Sequence, residues 1–113
     1  MNEAIIEIGG QKRELKYGVL AIQAIERETG KSVYQLFSEF SSGPLPVHLG
    51  VAIVWGGLLK GLPGVKPAMV ANWLDDCDFR EVTTTALAAF GESVARTLNV
   101  EPSEEAEEEP GKN

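Results

Sequence analysis

The chain has 113 residues, 43% of them hydrophobic, with one cysteine and a net charge of −7. That length and apolar content suit one domain with its own core, and a single cysteine excludes an internal disulfide framework and fits a reducing cytoplasm. The charge is uneven: residues 101–113 hold six Glu and one Lys (−5), while residues 1–100 hold 11 acidic and 9 basic groups (−2), so a basic nucleic-acid-binding surface is not expected.

In chain order, Met1-Asn2-Glu3 does not open a basic region leading into an apolar run, so no export leader is expected. Residues 4–17 read as a β-hairpin, the alternative being an extended N-terminal arm. Ala4–Ile8 is the first strand, Gly9-Gly10 supplies positive φ for a two-residue turn, and Lys12–Tyr17 returns. A lone hairpin is marginal in water, so it must pack on helices or pair with another chain.

A helix is expected over residues 19–29, with Ile22 and Ile25 on one face and Gly30 ending it. A second, over 33–40, starts at the capping box Ser32-x-x-Gln35 and carries Val33, Leu36, Phe37 and Phe40 on one side. Ser41–Pro46 is a loop.

The stretch Leu49–Leu62 is apolar all round and holds one charge, Lys60. It is too short for a bilayer, which needs about 20 apolar residues. A helix over 48–60 at the centre of the domain is the reading, wrapped by the other elements. The pair Gly56-Gly57 costs about 1 kcal/mol per residue against alanine, which implies close approach by a neighbouring backbone.

After the loop Gly61–Lys66, Pro67 starts a short helix over 67–75 with Val70, Trp73 and Leu74 apolar. Asp78-x-x-Glu81 starts a long helix over 79–99, where Val82, Ala86, Phe90, Val94 and Leu98 recur every four residues and Gly91 marks a possible crossing point. The glutamate run and prolines of 101–113 lack apolar surface to offset ordering entropy, so this acidic tail reads as disordered. The expected architecture is α+β, mainly α: an N-terminal β-hairpin and a bundle of about five helices in one domain over 1–100.

No catalytic, cofactor-binding or metal site is expected. Cys77 lies among Asp75, Asp76 and Asp78, which raise a thiol pKa and work against a nucleophile, and carboxylates with one thiolate match zinc sites poorly. His48, the single histidine, lacks a motif partner and reads as a local cap. Gly61-x-x-Gly64 lacks the ending of a phosphate loop. Apolar residues in exposed-looking segments, Leu45, Val47, Leu62 and Val65, together with Trp73, are the candidate partner-binding residues.

The opening Ile5-Ile6-Glu7-Ile8-Gly9-Gly10-Gln11-Lys12-Arg13-Glu14-Leu15, its continuation Lys16-Tyr17-Gly18, and a helix ending Glu28-Thr29-Gly30-Lys31-Ser32 resemble the tail assembly chaperones of long-tailed bacteriophages and related gene transfer particles. The resemblance is detailed over residues 5–32 and follows the element pattern over 4–98. It implies a non-enzymatic homo-oligomer that binds the tape measure protein, holds it soluble while tail tube protein assembles around it, acts in the host cytoplasm and is absent from the mature virion. Neither a membrane nor a nucleic-acid partner is expected, given the short apolar run and the near-neutral body. The family often makes a longer product by −1 ribosomal frameshifting, and back-translation of Pro110-Gly111-Lys112 permits the slippery string G-GGA-AAA. The alternatives are a structural tail component, either tube or completion protein, and a small enzyme using Cys77 or His48.

Overall fold

Gly9 and Gly10 set the hairpin. Their φ values of 64° and 84° are the two positive angles that a tight two-residue turn demands. A computed structural model of the chain describes residues 4–99. In it β1 (Ala4–Ile8) pairs antiparallel with β2 (Gln11–Leu15), Ala4 opposite Leu15 and Ile8 opposite Gln11. Alternation then sends Ile6, Ile8 and Leu15 into the core and leaves Ile5 and Glu7 outside. The returning strand ends two residues earlier than the sequence suggests. Tyr17 is buried beyond the strand end, and its hydroxyl donates 2.6 Å to the Ile53 carbonyl.

Five helices follow: α1 (Val19–Thr29), α2 (Val33–Ser42), α3 (Val47–Leu58), α4 (Pro67–Leu74) and α5 (Phe79–Leu98). The predicted α+β fold, a hairpin followed by five helices, is therefore the observed one. Gly30 closes α1 at φ 74°. Ser32 Oγ accepts from the Gln35 N–H at 3.1 Å, one half of the expected box. The Val33 N–H donates instead to the Glu26 carboxylate at 2.8 Å, so α1 supplies a cap for α2. Helix α2 runs two residues past its predicted end, and there the Ser41 and Ser42 hydroxyls donate to the Phe37 and Ser38 carbonyls at 3.0 and 3.1 Å. Asp78 Oδ1 accepts from the Glu81 N–H at 3.2 Å and opens α5.

Helix α3 packs against α1, α4, α5 and β2. It begins and ends slightly earlier than 48–60, since Leu59–Gly61 turns the chain toward Pro63. Its glycines admit side chains more than backbone. A Cβ on Gly56 would collide with Ile25, and one on Gly57 would lie 2.6 Å from the Tyr17 ring and hydroxyl. One backbone contact also forms there, the Lys16 N–H donating to the Gly57 carbonyl at 2.9 Å. Gly91 faces open space, which overturns the idea of a crossing point. Phe90 is the aromatic centre of the core, with Tyr17, Phe37 and Phe40 ringed around it at centroid distances of 5.4, 5.9 and 6.2 Å. The acidic tail falls outside the described residues.

Candidate functional site

Tyr17 is the anchor from which a surface groove is built. With its side chain locked under α3 and Lys16 hydrogen-bonded to Gly57, the chain turns sharply at the extended Gly18 and enters α1. Ala21, Ile22 and Ile25 then face the core. On a helical wheel of 100° per residue, Val19 falls roughly 110° and Leu20 roughly 150° from the centre of that stripe. They stand 66% and 58% exposed. Beside them lie the end of α3 with Leu59, Lys60 and Pro63, and the last turns of α5 with Ala89, Glu92 and Arg96. Together these segments enclose a groove of about 1000 Å³.

The groove's lining is mixed, with Val19, Leu20, Leu59 and Ala89 beside five charged side chains. Lys16, Lys60 and Arg96 supply three cations against the carboxylates of Glu14 and Glu92. Lys16 and Glu14 pair loosely at 3.8 Å, both well exposed, an arrangement worth little in water. Arg96 is steadied by donating to Ser93 Oγ at 3.4 Å. A groove lined by both apolar and charged side chains can take an amphipathic segment.

The five predicted partner-binding residues do not form one patch. Leu45 and Val47 precede or open α3, whereas Leu62, Val65 and Trp73 lie beyond its other end, and twelve helical residues span about 18 Å. Val65 is buried, and its carbonyl accepts from Trp55 Nε1 at 3.0 Å, so it is removed as a contact residue. Leu45 is half-buried, close to where a Gly50 Cβ would sit, while Val47 is exposed. Leu62 and Trp73 border a depression of about 210 Å³ with the exposed Met69. Trp73 also packs under the hairpin turn, where a Cβ on Gly9 would come within 2.9 Å of its ring. The guanidinium of Arg13 sits 5.3 Å from that ring and donates to the Ile8 carbonyl at 3.0 Å. Trp73 thus serves mainly to seat the hairpin.

Sequence reading passed over Val19 and Leu20. Their signal was legible as two apolar residues on the wrong side of an amphipathic helix, directly after a glycine.

Cys77 is half-buried, its thiol facing the Trp73 carbonyl at 3.4 Å and the Glu7 carbonyl at 3.7 Å. Burial first, then the charges of Asp76 and Glu7, push its pKa upward, which suppresses the thiolate. Among the described residues no three His, Cys, Asp or Glu side chains converge as a metal site. His48 is exposed in the first turn of α3, where Pro46 takes the cap position, so it does not cap the helix. Among the described residues no helix is long and apolar enough to cross a membrane. Comparison with family models, curated proteins and solved structures finds no match to this chain.

Proposed function

We propose that this chain is a tail assembly chaperone of a phage or phage-like particle, a non-enzymatic, self-associating protein that binds the tape measure protein during tail morphogenesis. The observation that carries the reading is the groove beside Val19 and Leu20. A tape measure protein is a long helix whose apolar stripe must be covered until the tube encloses it. A groove that offers both apolar and charged side chains suits one turn after another of such a helix. The N-terminal resemblance supports the same reading, and the acid-rich sequence of residues 101–113 would help hold the complex in solution. In this reading the chain works in the host cytoplasm, hands its client to the tail tube protein and stays out of the finished particle. A frameshifted longer form would continue from the acidic segment.

The second reading is a structural tail component. It is less favoured because two short strands, all that the described residues contain, offer little sheet for a continuous tube wall.

The test is co-expression with the tape measure protein of the same particle. The chain is expected to raise soluble tape yield several-fold, and the double variant Val19→Glu/Leu20→Glu to lose that effect while keeping its helical circular dichroism. An unchanged tape yield would sink the reading. Finding the chain in purified particles at the copy number of a structural protein would establish the second reading instead.

A further inference from the structure

The groove lies beside the point where the described chain ends. Arg96 lines it, and α5 closes at Leu98 with Asn99 as its left-handed cap. The described chain therefore ends within one helical turn of the groove wall. Six of the fourteen residues 100–113 are Glu, and one is Lys. Fully extended, such a segment reaches about 46 Å, much more than is needed to cross a groove bordered by α5, the end of α3 and the start of α1. The three cations in the groove's lining outnumber its two carboxylates, on a body that is itself net acidic over residues 1–100.

We propose that the acidic segment Glu101–Glu109 docks on the Lys60–Arg96 side of this groove and competes there with an incoming partner. Single exposed ion pairs are too weak in water to hold a free peptide. Tethering changes the balance. Being part of the same chain gives the segment a roughly millimolar effective concentration at the groove, so a weak site is substantially occupied. The contact is electrostatic and therefore breaks in salt, where the screening length shrinks from about 10 Å at 0.1 M to about 3 Å at 1 M. As a regulator of client entry this rests on the groove being the client site, but the docking itself does not.

The experiment uses the full chain and no client. Backbone amide shifts of Val19, Leu20, Lys60 and Arg96 are compared between the native chain and a full-length variant with Glu101, Glu104, Glu105, Glu107, Glu108 and Glu109 changed to Gln. The groove amides are expected to shift at 50 mM salt and to coincide at 1 M. The exposed-site variant Lys60→Glu/Arg96→Glu should abolish the difference. A synthetic peptide of residues 100–113 should move the same amides of the Gln variant only at millimolar concentration. Coincident groove amides at 50 mM salt, or a difference that survives 1 M salt or the Lys60→Glu/Arg96→Glu change, would overturn the docking. Tape solubility, measured separately, decides the client reading.

Discussion

Phe90 and Tyr17 show how much of this core rests on two rings. Phe90 is fully buried and touches three other aromatics edge-on or tilted. Truncation to alanine leaves a large hole among partners that cannot all collapse into it, so Phe90→Ala should cost about 3–5 kcal/mol in a urea unfolding curve. Tyr17 adds a polar tie, and burial holds its hydroxyl pKa far above the ordinary value. The folded state therefore keeps a proton that the unfolded chain releases above about pH 10. The resulting stability is intact below that pH and is lost as pH rises beyond it. Tyr17→Phe should cost about 0.5–1.5 kcal/mol at neutral pH and flatten the alkaline loss of stability. Two helical glycines give opposite signs for one substitution. Gly57→Ala forces a methyl against the pinned Tyr17 and should destabilise by about 1–3 kcal/mol. Gly91→Ala meets nothing and should stabilise by up to about 1 kcal/mol, read from thermal melts.

At the scale of elements, boundaries are set by local polar bonds, which makes several of them readable from short motifs. The Asp78 cap starts α5 as its motif suggests, and Asp78→Ala should cost about 1 kcal/mol, visible as a lowered midpoint in urea. Helix α2 is different. Its first N–H is satisfied by Glu26, seven residues upstream, through a contact that no local motif encodes. A further tie, the 2.9 Å ion pair of Lys31 with Glu39, links the α1–α2 connection to the second half of α2. The hairpin turn was legible because two glycines in succession suit two positive φ angles. Its seat on Trp73 was not, since that requires knowing that the start of the chain meets α4.

Across the whole molecule, α3 organises the packing and the surface follows from it. Because α3 is apolar all round, four elements crowd it, and the residues left over at their junctions form the groove. The candidate loops flanking α3 carried apolar residues for two different reasons. Val65 completes the core, while Val47 remains exposed, and composition does not separate them. Charge is distributed on the same scale. A chain ending at Val100 keeps every buried core residue among the described ones but falls from −7 to −2. Its melting temperature should change little, whereas its solubility near neutral pH should drop, as ammonium sulfate or polyethylene glycol precipitation would register.

By itself the sequence determined the hairpin, the five helices, the apolar stripes of α1, α2, α4 and α5, and the central place of α3. All of these follow from period, glycine and cap, which act over a few residues. Only the tertiary structure decided which apolar residues stay outside. It gathered Val19 and Leu20 with Lys60 and Arg96 from three separated segments, and it withdrew Val65 into the core. A groove is made by the angles at which helices cross, and those depend on contacts between residues such as Tyr17 and Gly57, forty positions apart in the chain.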